Sequence, residues 1–101
     1  MIIDSHVHLG TMLGFDLTEQ DIIASLEKYG IGKALVSNLE STEFGHKQEP
    51  LPEEIVVSEL ESNRRTLELV RRHPGVLFGQ YWFKPATERL TTEAEALIRD
   101  N

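Results

Sequence analysis

Stretches with a two-residue apolar period and stretches with a helical period alternate three times along these 101 residues, and no other feature narrows the fold as far. In residues 2–9, Ile3, Val7 and Leu9 share one parity, while Ile2, Asp4, His6 and His8 share the other. This reads as a strand with one apolar face and one face carrying chemistry. Gly10 and Gly14 then mark a loop. After it, Asp16 with Glu19 or Thr18 with Asp21 offers a capping box for a helix running to Tyr29. Ile22, Ile23, Leu26 and Tyr29 keep helical spacing, and Gly30 supplies the left-handed residue that ends such a helix. Within 33–38, Ala34, Leu35 and Val36 form the continuous apolar run of a parallel strand covered on both faces.

Residues 39–52 turn polar and are interrupted by Gly45, Pro50 and Pro52, a loop long enough to carry function. A second helix is expected over 53–73, with Val56, Leu60, Leu67 and Val70 as its apolar stripe. Asn63 falls on that stripe, so its amide needs a backbone partner in a neighbouring loop. Glu61 with Arg65 and Glu68 with Arg72 are well-oriented pairs for a solvated face. His73-Pro74-Gly75 stops the helix, where an imidazolium favours the dipole. Residues 76–83 read as a third strand, and Thr92 with Glu95 caps a third helix carrying Ala94, Leu97 and Ile98.

The order β-α-β-α-β-α implies an α/β fold of parallel strands joined by right-handed crossovers, in one domain covering 1–101. Three such strands with helices on one side leave the other sheet face bare. Either the chain is a piece of a larger barrel, or another copy covers that face as a homo-oligomer.

Seventeen Asp and Glu against ten Lys and Arg give a net charge of −7, which repels phosphate backbones and anionic lipid. Nucleic acid and membrane are therefore excluded as expected partners. Cysteine is absent, so any metal must be held by His, Asp or Glu, and a reducing compartment fits. The opening residues lack the cationic region and long apolar run of a signal peptide, and no stretch reaches the ~18 apolar residues of a membrane span. The expected location is the cytoplasm.

The candidate chemistry lies on the first strand. His6 and His8 are two residues apart, about 7 Å along the chain by strand rise, which lets both rings bend toward one divalent ion. Asp4 is placed two residues deeper, as an acceptor that orients an imidazole or as a buried carboxylate satisfied by its neighbours. Asn38 ends the second strand, and Tyr81 and Trp82 end the third, where barrels build substrate mouths. Asn38 reads equally as a turn former and Trp82 as core. His46, in the long loop, is a candidate pocket residue or simply solvated. Glu40, Glu43, Glu49, Glu53 and Glu54 surround that loop and disfavour a strongly anionic substrate.

Met1-Ile2-Ile3-Asp4-Ser5-His6-Val7-His8-Leu9-Gly10 resembles the opening strand of amidohydrolase-superfamily barrels. Starting on that strand, without a preceding β-sandwich, is similar to the amidohydrolase-2 branch of metal-dependent hydrolases and decarboxylases. The run from Asn63 through Leu69-Val70-Arg71-Arg72-His73-Pro74-Gly75-Val76-Leu77-Phe78-Gly79 to Lys84-Pro85 resembles that branch's second helix, His-Pro break and third strand. The resemblance implies about three of the eight units of a (β/α)8 barrel, with a divalent metal, most often zinc, on His6 and His8. It further implies a small-molecule substrate whose carbonyl is attacked by metal-bound water, or which is decarboxylated, with the remaining ligands on later strands. Two histidines fall short of the three protein ligands of a catalytic zinc, so the 101 residues alone are expected to lack a complete active site. TatD-like deoxyribonucleases and PHP phosphoesterases also open on Asp-x-His-x-His, and a non-catalytic, self-associating fragment is the remaining reading.

Overall fold

A computed structural model describes residues 1–84 and 90–100. These residues form a mixed α/β fold with a four-stranded sheet and three helices. The order is β1 (Ile2–Met12), β2 (Phe15–Leu17), α1 (Glu19–Tyr29), β3 (Ile31–Asn38), a 3-10 turn (Glu53–Ile55), α2 (Glu59–Arg72), β4 (Leu77–Gly79) and α3 (Thr92–Asp100). The sheet order is β2-β1-β3-β4. The pairs β1/β3 and β3/β4 are parallel, as the alternation predicts, and β1/β2 is antiparallel.

The antiparallel strand is a correction. The glycine-marked loop after residue 9 is instead a hairpin, with Gly10, Thr11 and Met12 paired to Leu17, Asp16 and Phe15. Its turn residues, Leu13 at φ 54° and Gly14 at φ 82°, both lie in the left-handed region that a tight two-residue hairpin turn requires. Leucine seldom takes that conformation, so the turn leaves little trace in the sequence.

Helix α1 starts where the second capping box places it. Thr18 accepts the Asp21 N–H while the Asp21 carboxylate accepts the Thr18 N–H, and left-handed Gly30 closes the helix after Tyr29. Its Ile22 and Leu26 join Ala34 and Val36 of β3, Leu69 of α2 and Leu77 of β4 in one buried cluster. Both helices thus cover the same face of the parallel strands.

Helix α2 begins at Glu59, six residues later than expected, because Val56 is extended and Ser58 caps it by accepting the Glu61 N–H. Its buried side is also more polar than the apolar stripe suggests: Glu59, Ser62, Asn63 and Thr66 are buried beside Leu67 and Leu69. The polar half faces irregular backbone, which needs hydrogen bonds more than it needs apolar contact. Asn63 Nδ2 donates to the Trp82 carbonyl at 2.9 Å, and Asn63 Oδ1 accepts the Trp82 N–H at 2.8 Å, the loop-backbone partnership expected for that amide. Glu59 Oε2 accepts the Lys84 N–H at 2.7 Å. The Gln80 N–H still donates to the Val36 carbonyl at 2.8 Å, but beyond it these two side chains bind the main chain at Trp82 and Lys84, and β4 ends at Gly79 and does not run to residue 83 as expected.

The end of α2 is tied to the start of α1. Arg72 Nε donates to both Glu19 carboxylate oxygens at 3.1 Å, and His73 Nε2 donates to Glu19 Oε1 at 2.7 Å. Arg72 therefore pairs with Glu19 of α1, and His73 does more than cap its own helix. The Arg72 bond first, then that of His73, holds the Glu19 carboxyl below the ordinary glutamate range. A carboxyl with a depressed folded-state pKa contributes stability above its unfolded value and loses that contribution as pH falls through the folded one. Glu19→Gln is therefore expected to unfold at lower urea than the wild type at pH 7, with the gap closing as pH drops below about 4.5. A gap that persists at low pH would contradict this.

Helix α3 packs against α2, with Ala94 buried, and Thr91 Oγ1 accepts the Ala94 N–H, one residue ahead of the expected Thr92 cap. Two open surfaces remain among the described residues. No strand pairs with residues 2–9 of β1 on the side away from β3. The sheet face opposite the helices carries Ile3, 57% exposed, and Phe78, 40% exposed. No described helix is long and apolar enough to cross a membrane.

Candidate metal centre

The site is built on the last turns of the parallel pairing between β1 and β3. The register runs Ile3 to Lys33, Asp4 to Ala34, then Val7 to Val36, His8 to Ser37 and Leu9 to Asn38. Between Asp4 and Val7 strand β1 spends one residue more than β3 does, a bulge at Ser5-His6. Side chains of paired residues in a parallel ladder share a face, so the extra residue reverses the parity expected from an unbroken alternation. Ile3 and His8 lie with Lys33, Leu35 and Ser37 on the open face. Asp4 lies with Val7, Ala34 and Val36 on the helix-covered face.

The bulge brings the two imidazoles together. His6 Nε2 and His8 Nε2 are 2.9 Å apart, with the rings nearly perpendicular and their centroids 4.6 Å apart. Two nitrogens that each lie 2.0–2.1 Å from a tetrahedral zinc are about 3.3 Å from one another, so taking an ion requires the pair to part by a few tenths of an ångström and the proton between the two nitrogens to leave. The donor set, two imidazoles meeting through the same ring atom, suits a borderline-soft divalent metal as half of a ligand shell. Among the described residues, no group of three or more His, Cys, Asp or Glu side chains converges to hold an ion.

The other nitrogen of His8 is also engaged. His8 Nδ1 lies 3.0 Å from Ser37 Oγ, and Ser37 is buried on β3 directly beside His8. The sequence offers Asp4 either as an acceptor that orients an imidazole or as a carboxylate satisfied by its neighbours. In the structure Asp4 Oδ1 accepts the main-chain N–H of His6 at 3.0 Å, so this carboxylate braces the bulge. Ser37 was not singled out, because its proximity to His8 comes from interstrand register, for which residues 31–38 alone carry no signal.

The remaining expected pocket residues are dispersed. Asn38 is fully buried; its Oδ1 accepts the Glu40 N–H at 2.7 Å and its Nδ2 donates to Glu40 Oε1 at 3.1 Å, the turn-forming role. Glu40 in turn receives Arg65 Nη1 at 3.0 Å. His46 sits on the hairpin tip, its Nε2 3.3 Å from the Leu13 carbonyl and its ring near Phe15. Trp82 is half-buried, with its main chain clamped by Asn63. Pro85 lies outside the described residues.

Two clefts stand out. One of about 340 Å³ has Asp4, His6, Val7 and His8 in its wall, opposite Ile22, Ser25 and Leu26 of α1. A second, of about 430 Å³, lies between the long loop and Lys84, lined mainly by Phe44, Pro50, Leu51, Val56 and Val57. The histidine pair belongs to the first. Comparison of the chain with protein-family models, with curated proteins and with solved structures found no match.

Proposed function

We propose that the chain is the N-terminal part of an amidohydrolase-2-like metal-dependent hydrolase, in which His6 and His8 are two of the ligands of a divalent ion, zinc by preference. The observation that carries this reading is the convergence of the two Nε2 atoms to 2.9 Å at the C-terminal end of the parallel pairing. Barrel enzymes place their chemistry at that end of the strands. The adjacent parallel order β1-β3-β4, with both crossover helices on one face, is what three successive units of a (β/α)8 barrel would present. On this reading the free edge of β1 is where a closing strand pairs, and the face bearing Ile3 and Phe78 is the barrel interior. When bound, a divalent ion supplies Lewis acidity and a water whose pKa falls to about 7. His6 and His8 hold it through neutral nitrogens, Ser37 braces His8, and further ligands come from segments beyond these three units. The substrate class is a small ester or amide, or a carboxylate that is decarboxylated. A phosphoesterase of the TatD or PHP kind would use the same pair, but the net charge of −7 opposes a phosphate-bearing substrate.

Metal analysis tests the reading. In equilibrium dialysis against zinc, the wild-type chain, which carries two of the ligands, is expected to bind weakly but to retain more zinc than the His6→Ala/His8→Ala variant, whose affinity falls at least about tenfold. Equal retention by both proteins would sink it.

The exposed Ile3 and Phe78 favour a second reading, in which another copy of the chain covers the open face without catalysis. Light scattering on the same samples separates the two, since a stable monomer contradicts self-association.

A further inference from the structure

We propose that Ser37 is the positioning residue of the histidine pair: its hydroxyl accepts the His8 Nδ1–H and so keeps His8 Nε2 unprotonated, as the acceptor that faces His6. This inference deepens the metal reading and rests on it, though its first test needs no metal.

The argument begins with proton counting. A neutral imidazole carries one N–H, and a metal takes the nitrogen without it. Ser37 Oγ, the two nitrogens of His8 and His6 Nε2 form one row, with contacts of 3.0 Å and 2.9 Å at its two gaps. The row can be protonated in two ways. In one, His8 Nδ1–H donates to Ser37 and His6 Nε2–H donates to His8 Nε2. In the other, Ser37 O–H donates to His8 Nδ1 and His8 Nε2–H donates to His6. Only the first leaves His8 Nε2 without a proton, so His8 can take an ion as it stands, while His6, whose Nε2–H donates in that arrangement, must first shift its proton to Nδ1.

Burial and register then distinguish the two histidines. Ser37 is 8% exposed and is the direct ladder partner of His8, so its oxygen is pre-placed by the sheet. His6 is exposed and stands on the bulge, with its main-chain N–H held by Asp4. His8 is therefore the anchored ligand and His6 the adjustable one, whose ring supplies the few tenths of an ångström that an ion requires. A hydrogen bond to the distal nitrogen of a metal-bound histidine fixes its tautomer and raises its basicity, and losing such a partner typically weakens metal binding about 10–100-fold.

The test uses the full chain. Nitrogen NMR of the imidazoles, without metal and at a pH where both rings are neutral, is expected to find His8 protonated at Nδ1. In Ser37→Ala it should move toward the Nε2–H form that predominates for free histidine, and in Ser37→Thr it should stay as in the wild type. Zinc affinity, measured by competition with a chromophoric chelator, is expected to fall about 10–100-fold in Ser37→Ala and to stay within about threefold in Ser37→Thr. Far-UV circular dichroism confirms that all three proteins are folded. A wild-type His8 protonated at Nε2, or an Ser37→Ala variant with unchanged tautomer and unchanged zinc affinity, overturns the assignment. A wild-type chain whose zinc affinity is no higher than that of His6→Ala/His8→Ala refutes the metal reading instead, and the tautomer measurement then decides by itself whether Ser37 orients His8.

Discussion

Asn63→Ala is expected to lower the unfolding free energy by about 3 kcal/mol, because it removes three hydrogen bonds and strands both main-chain groups of Trp82. The amide is fully buried, and the Trp82 groups it satisfies lie in an irregular segment outside the strands. Alanine offers neither a donor nor an acceptor, and each stranded polar group costs about 1–3 kcal/mol. Against a total stability of about 5–15 kcal/mol for an ordinary domain, this is a large fraction. Urea unfolding measures the loss, and amide exchange at Trp82 localises it, since this N–H should exchange much faster in the variant. A loss below about 1 kcal/mol would mean that residues 80–84 are held by something other than Asn63.

Leu69→Ala is expected to cost about 2–5 kcal/mol. Leu69 is wholly buried where α1, α2, β3 and β4 meet, among Ile22, Leu26, Ala34, Val36 and Leu77. Truncation there forfeits the transfer energy of the side chain and leaves a cavity that four elements cannot jointly collapse into. Ile3→Ala is the internal comparison: an isoleucine of similar size, 57% exposed on the opposite face, where the change should stay within about 0.5 kcal/mol. Comparable losses at both positions would show that the open face is covered in solution, and so would speak directly to the barrel and self-association readings.

Much of the architecture was legible because its signals are local. The Thr18/Asp21 box and Gly30 bound α1 by hydrogen bonds within a few residues. The apolar run Ala34, Leu35, Val36 marked a parallel strand, although only one of its faces is covered by helices. The demand of Asn63 for a backbone partner followed from an amide on a buried stripe, and Trp82 answers it. The β1-β2 hairpin was hidden because a leucine holds one of its two left-handed turn positions. Helix α2 starts later than its apolar stripe suggests because Val56, which continues that stripe, is extended backbone and Ser58 makes the cap.

The candidate site divides along the same line. By itself the sequence determined that two histidines stand two residues apart on the first strand, that cysteine takes no part, and that alternating periods build a parallel sheet, since all of this follows from residue type and spacing. Only the tertiary structure decided which faces those residues occupy. One extra residue between Asp4 and Val7 reverses the parity of β1, turning Asp4 toward the helices while His8 stays on the open face beside Ser37. A strand's side-chain period is two, so a single inserted residue moves everything beyond it to the other side, and the insertion exists only relative to β3.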